Sequence, residues 1–398
     1  MIKSLSLSLC GVSLALFLIG GCAKGDGGSN GGSMGTAGTG GSAPPPPGLG
    51  QGGPFTFPQS KTSGACTITS VATAVSATQN AYNSWKSTFV TSNGANGALR
   101  VQSPQHQSGT VSEGIGYGMI AAVYMYDRPT FDGLWNYAKM HLDSNGLMNW
   151  QISSTGGIVG MGSATDADED IAWALLMASD QWSSVDYLND ARAVIDAIYG
   201  TAIAGDGTLK PDQYGGANGT TYDPDYFSPA YYRVFARATD NPAWSGIILD
   251  RNYTLTTTLS APKGLVPNSS TTGNPTATGT YGYNACRWLW RIAMDYCFNG
   301  EPRAKAILDK AGPFFNGIGA TNIGDGYNVA DGSQTSPNHN MAFIGPAGIA
   351  GMAGWQSLLD GAFMFGAGGA GDNAYFTNSL RVVTMIMMSG NLLDYAHQ

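Results

Sequence analysis

One run of fifteen residues constrains this chain more than any other. It reads Ala164-Thr165-Asp166-Ala167-Asp168-Glu169-Asp170-Ile171-Ala172-Trp173-Ala174-Leu175-Leu176-Met177-Ala178. Ile171, Ala174, Leu175, Ala178 and, further on, Trp182 recur at three- and four-residue spacing, which predicts a helix with one apolar, buried face. Thr165 or Asp166 is a natural N-cap, accepting a free backbone N–H of the first turn. Asp168, Glu169 and Asp170 then fall where the helix dipole favours negative charge. Capping would account for most of this acidity. Calcium is excluded, because an EF-hand loop needs Gly at its sixth position and Glu at its twelfth. Here those positions hold Ile171 and Met177.

The same helical period continues on both sides of that run. It predicts helices over Thr69 to Phe89, Gly114 to Tyr126, Thr130 to Leu142, Asp168 to Trp182, Val185 to Tyr199 and Pro229 to Ala238. Further helices are expected over Trp244 to Thr258, Ala285 to Tyr296, Pro302 to Phe315, Ile349 to Leu359 and Ala374 to Ser389. Gly-, Asn- and Thr-rich loops separate them, and no alternating ladder is long enough for a principal sheet. An all-α chain of about a dozen helices fits a toroid of paired helices, and the count alone also permits an α-solenoid, although no fixed-period repeat is visible.

Before residue 55 the chain reads differently. Lys3 and the apolar stretch Leu5 to Ile19 make a targeting element too short for a comfortable membrane span. It ends Leu18-Ile19-Gly20-Gly21-Cys22, similar to a bacterial lipoprotein processing site, so residues 1–22 are expected to be removed and Cys22 lipidated; an ordinary signal peptide is the alternative. Residues 23–54 are nearly all Gly, Ser, Ala, Thr and Pro, with a proline run from Pro44 to Pro47, and are expected to be a linker. The folded domain is expected over 55–398, as a secreted or cell-surface monomer that touches a membrane only through Cys22. In an oxidising compartment Cys66 is free to pair with Cys286 or Cys297, while the latter two, eleven residues apart on one expected helix, are too distant to bridge.

The net charge of −8 and the low share of charged residues, 12%, argue against nucleic acid. His106 and His339 lie in polar loops without metal-ligand spacing and are read as surface residues, so no metal or other cofactor is implied. Glu113, Glu169 and Glu301 are the only glutamates. Glu113 stands in Val111-Ser112-Glu113-Gly114-Ile115-Gly116-Tyr117-Gly118-Met119, just before an apolar helix. Its three glycines would let a ligand come close. Apolar neighbours would raise its pKa and suit it to general-acid work.

Two of these segments together resemble glycoside hydrolase family 8. Ala-Thr-Asp-Ala-Asp-x-x-Ile-Ala-x-Ala-Leu-Leu-x-Ala is similar to the family signature, and Ser-Glu-Gly-x-Gly-Tyr-Gly-Met to its proton-donor motif. The resemblance implies an (α/α)6 toroid and an inverting endo-glycosidase of β-1,4-linked polysaccharide, cellulose-type β-glucan first. Xylan, lichenan and chitosan are the alternatives. It makes Glu113 the general acid, with Tyr117 beside it as a substrate-binding residue, and gives Asp166 the task of holding the sugar ring at the point of cleavage. Asp168 and Asp170 are left to capping and to orienting neighbours.

A third segment departs from the family. Tyr281-Gly282-Tyr283-Asn284-Ala285-Cys286-Arg287 is similar to Tyr-Asp-Ala-x-Arg, whose Asp is usually the general base, yet Asn284 stands at that position. Arg287 keeps its place. Asp225 is the first substitute, with Asp223, Asp325 and Asp331 as further loop candidates. Glu301, at a helix start beside Pro302, is not expected to reach the cleft. Asn284 orienting water for a more distant carboxylate, or a glycan-binding protein that has lost turnover, are the other readings. Tyr222 to Arg233 is similar to the family's Pro-Ser-Tyr-Phe stretch, making Tyr226 a hydroxyl donor, and Trp150 is a candidate stacking platform.

Overall fold

The computed structural model describes residues 54–216 and 219–394. The leader, Cys22 and all of the linker but Pro54 lie outside the described residues. Twelve α-helices are found among them: α1 (Ala74–Phe89), α2 (Ser112–Tyr124), α3 (Arg128–Met140), α4 (Thr165–Gln181), α5 (Val185–Ala202) and α6 (Pro229–Ala238) in the first half. The second half supplies α7 (Leu249–Leu259), α8 (Trp288–Asn299), α9 (Pro302–Ile318), α10 (Met341–Gly351), α11 (Gln356–Gly368) and α12 (Tyr375–Met388). Nine short strands of two or three residues lie between them: β1 (Val90–Thr91), β2 (Arg100–Val101), β3 (Thr110–Val111), β4 (Gln151–Ile152), β5 (Ile158–Gly160), β6 (Thr221–Tyr222), β7 (Ser270–Thr271), β8 (Thr280–Tyr281) and β9 (Tyr327–Asn328). They pair antiparallel as β1–β2, β3–β4–β5, β6–β7 and β8–β9.

The even-numbered helices form an inner ring. α2 packs on α4 and α12, α8 on α6 and α10, and α10 on α12. Between α4 and α6, Trp173 stacks on Tyr231 with ring centroids 4.4 Å apart. The odd-numbered helices back them from outside, α3 on α2, α5 on α4, α9 on α8 and α11 on α10. The fold is an (α/α)6 barrel.

Burial explains which helix takes which place. Every residue of α4 and of α10 is buried, and α2 exposes little beyond part of Glu113. An outer helix such as α3 buries one side, with Thr130, Phe131, Leu134, Trp135, Tyr137 and Ala138, and leaves Arg128, Asn136, Lys139 and Met140 to solvent. The expectation of a single apolar face on α4 is therefore corrected: it is a core helix, closed on all sides. α2 and α4 come together at Gly116, where an added Cβ would sit 2.8 Å from Asp170 Cβ. The capping expectation is corrected too. Ala164 occupies the N-cap position of α4 with no side-chain bond, and the acidic residues that follow turn to partners elsewhere in the barrel.

Two predicted helices change shape. The stretch from Trp244 breaks at Gly246 (φ −108°, ψ −107°), giving a wide turn, Trp244–Ile248, before α7. The single helix expected over Ile349 to Leu359 is two, α10 and α11, meeting near Ala353. Cys66 and Cys297 form the disulfide, which ties the segment before α1 to α8, and Cys286 is free and buried.

Candidate active site

The inner helices begin at one end of the barrel, and their first residues converge there. Glu113 is the second residue of α2 and Asp166 the second of α4. Asp225 and Tyr226 lie in a 3-10 turn, Pro224–Tyr226, that leads into α6. Asn284 and Arg287 flank and end the turn into α8, and Tyr375 opens α12. Five helix N-termini aimed at one space favour negative charge in it.

Local pairing sets the position of each group. The β3–β4 ladder places Val111 opposite Gln151, and Ser112 N–H donates to Trp150 O at 3.0 Å, so Glu113 and Trp150 share one rim. Asn268 Oδ1 accepts from Gly282 N–H at 3.0 Å and Ala285 N–H at 3.1 Å, clamping the loop that presents Asn284.

Arg287 is the hub. Its Nη1 donates to Asp166 Oδ2 at 2.5 Å and also to Glu113 Oε2, while Nη2 pairs with Asp225 Oδ2 at 2.7 Å. Its guanidinium lies 5.3 Å from the Tyr226 ring centroid and 5.8 Å from that of Phe376. The remaining oxygen of Glu113, Oε1, accepts from Tyr375 O–H at 2.6 Å. Beneath this layer Arg291 makes a two-point pair with Asp170, and Tyr231 O–H donates to Asp170 Oδ1 at 2.9 Å. Asp168 Oδ1 accepts from Met148 N–H at 3.0 Å, and Glu169 Oε1 from Tyr232 O–H at 2.7 Å.

One cation facing three carboxyls cannot balance all of them. Burial pushes Glu113 up to about 7, against the pull of Arg287 and with a further push from Asp166. Burial likewise raises Asp225 to about 8, again opposed by Arg287. A carboxyl that keeps its proton near neutrality beside an ionised partner is what general-acid chemistry requires.

Two adjoining hollows open over this cluster and share Glu113, Asn284, His106 and Tyr375. One, of about 260 Å³, also meets Trp150, Asp166 and Tyr226. The other, of about 400 Å³, runs along Tyr283, Asp372 and Phe376. Trp150 is 39% exposed at the rim. Asp166 is buried, and its Oδ1 has no partner within the protein. Tyr117 is buried below the floor, its hydroxyl 3.4 Å from Arg287 Nη1, and it lines neither hollow. It sits behind the arginine rather than in the substrate-binding place expected for it.

The structure thus brings Glu113, Asp166, Tyr117, Asn284, Arg287, Tyr226 and Trp150 together. Asp225 is there as well, but behind Arg287, with no exposed surface. Asp325 Oδ2 accepts from Tyr283 O–H at 2.8 Å, and Asp331 lies out on an exposed loop, accepting from Ser333 N–H. Glu301 is held away from the cleft by Arg233, at 2.5 Å, and Arg303, which draw its pKa down to about 2. The glycines after Glu113 serve packing rather than ligand approach: Gly116 meets Asp170, and Gly118 faces Leu134 and Val101. His106 is half-buried and lines both hollows, its Nδ1 2.8 Å from Ser103 Oγ, which corrects its reading as a plain surface residue. His339 is exposed. Tyr375 and Phe376 were not legible as site residues, because no motif surrounds them and they arrive from a distant part of the chain, whereas Tyr283 stands in the motif beside Asn284 and was passed over.

An inner ring of helices whose N-termini hold an acidic cleft defines a glycoside hydrolase. The chain belongs to glycosyl hydrolases family 8, whose model matches residues 55–390. Endoglucanase 2 of Ruminiclostridium josui is 37% identical over 352 residues, covering 84% of this chain and 76% of that protein. Endoglucanase A of Acetivibrio thermocellus is 39% identical, covering 78% of this chain and 68% of its own length. The apo structure of a β-1,3-1,4-glucanase from Paenibacillus sp. X4 superposes with a TM-score of 0.78 at 30% identity, over 85% of this chain and 98% of that one.

Proposed function

We propose that this protein is an inverting endo-1,4-β-glucanase in which Glu113 protonates the leaving oxygen. The observation that carries the reading is the placement of Glu113 at the shared wall of two open hollows, raised to about 7 and bonded to Tyr375 and Arg287. The names of the relatives favour a β-glucan over xylan or chitosan as substrate. Asp166 Oδ1, buried and unpartnered at the edge of the hollow, suits a hydroxyl of the sugar being cleaved. Tyr226 and Trp150 suit the walls of that subsite, and Arg287 fixes the carboxyls that face it. The leader-like segment ending at Cys22 supports a secreted or envelope-anchored enzyme that meets its polysaccharide outside the cell.

Asn284 in place of the family Asp favours a second reading, a glycan-binding protein without turnover. Release of reducing ends from carboxymethyl cellulose and lichenan separates the two. Turnover by the native protein, with Glu113→Gln cutting kcat by about 10²–10⁴-fold, is expected for the enzyme. Oligosaccharide binding without turnover would leave only the binder.

A further inference from the structure

An inverting reaction needs a carboxylate to take a proton from the attacking water, on the face of the sugar opposite the acid. The amide of Asn284 cannot do that. Most carboxyls around the cleft are already engaged: Asp166 and Asp225 with Arg287, Asp170 with Arg291, and Asp325 with Tyr283. Asp372 is held by Ala374 N–H at 2.8 Å and Thr377 O–H at 3.0 Å.

Asp223 is different. It follows Tyr222, which the β6–β7 ladder pins opposite Ser270, and precedes the Pro224–Tyr226 turn that sets Tyr226 in the wall of the hollow. Although it stands at the N-cap position of that turn, its side chain makes no capping bond. Its Oδ1 is buried with no partner, yet the residue is only half-buried, whereas Asp225 two residues on is sealed. Burial raises its pKa to about 6, Arg287 pulling it down and Asp166 pushing it up, so both hub residues are its electrostatic neighbours. A group ionised above that value, while Glu113 is protonated up to about 7, gives an acid and a base usable at the same pH.

We propose that Asp223 is the general base of this enzyme, replacing the carboxylate that Asn284 lacks. The inference rests on the glucanase reading above. The water oxygen bonds to the anomeric carbon as its proton passes to an Asp223 oxygen. The bond from that carbon to the glycosidic oxygen breaks, its electron pair staying on the oxygen, which takes the proton of Glu113. Asn284 remains at the wall, where its amide can orient the water.

The test is kinetic and chemical. Asp223→Ala and Asp223→Asn are compared with the native chain on a soluble β-glucan and a cello-oligosaccharide, with and without sodium azide. The expected result is a kcat at least about 100-fold lower in both, with KM nearly unchanged. The acidic limb of the pH profile should disappear. Azide, an anionic nucleophile that needs no base, should restore turnover in Asp223→Ala and yield a glycosyl azide of inverted, α configuration. A structural role would not produce that product. Near-native kcat in either variant overturns the proposal, as does loss of turnover with no azide product while thermal unfolding is unchanged. If the native chain cleaves no β-glucan, both this assignment and the glucanase reading fall; if it cleaves and Asp223→Ala is unimpaired, only this assignment falls.

Discussion

Arg287 Nη2 and Asp225 Oδ2 are 2.7 Å apart in a place where the first side chain is 3% exposed and the second not at all. The same arginine also carries Glu113 and Asp166, so the acidic end of the barrel depends on one guanidinium. Replacing it with an apolar side chain of similar length leaves three buried carboxyls without their cation. Arg287→Met is expected to lose about 3–5 kcal/mol at pH 7, the usual cost of breaking a buried pair from one side. Glu113 and Asp225 already have folded pKa values above their ordinary 4.5 and 3.8, and losing Arg287 removes the influence that lowers both. The folded variant therefore holds more protons than the unfolded chain over a wider range, and its stability falls as pH rises. Urea unfolding at pH 5 and pH 7.5 should show a larger deficit at the higher pH; equal deficits would mean that the cluster does not control the barrel end.

Tyr375 offers a gentler way to move the acid. Its O–H donates to Glu113 Oε1, a bond that favours the ionised form and holds the pKa below where burial alone would put it. On the proposed role of Glu113 as proton donor, kcat/KM of the native protein should decline as pH rises through about 7. Tyr375→Phe removes a donor and little volume. The alkaline limb should then shift upward, with the low-pH rate largely kept. A limb that stays in place, or moves down, would show that Glu113 is not the group being titrated.

How far these contacts were legible depends on their range. Glu113, Asp166 and Arg287 stand in recognisable local motifs, and their meeting follows once the motifs share a barrel. Tyr375 is 262 residues from Glu113 in a segment with no motif, so only the closed ring of α2 and α12 brings it there. The acids of α4 misled because local physics offered capping, a sufficient reason for carboxylates at a helix start. The fold gave Asp166, Asp168 and Asp170 long-range partners instead: Arg287, the Met148 backbone and Arg291. The helix expected from Ile349 leaves out most of α10, Met341–Gly351, for a similar cause. Gly345, Pro346 and Gly348 read as breakers, and a helix buried on every side has no amphipathic period to reveal it. The missing base is the opposite case, an absence at Asn284 that sequence shows plainly and only placement can fill.

Trp150 gives the most direct test of how the cleft holds sugar. The indole is part-exposed beside Glu113 and rests against β5, where a Cβ on Gly160 would lie 2.3 Å from its ring atoms. If the ring is a platform, stacking a pyranose on it removes roughly 40–80 Å² of apolar area from water, worth about 1–2 kcal/mol at about 25 cal/mol per Å². Trp150→Ala should then raise KM for long oligosaccharides by roughly 5- to 30-fold, with kcat falling less. Gly160→Ala tests the same point without touching the indole's chemistry, since the new methyl must swing the ring out of place. Its KM should rise in the same direction, while the alkaline limb set by Glu113 stays where it was. Unchanged KM in both variants would make Trp150 a packing residue and move the sugar-binding surface towards Tyr283 and Phe376 on the other hollow.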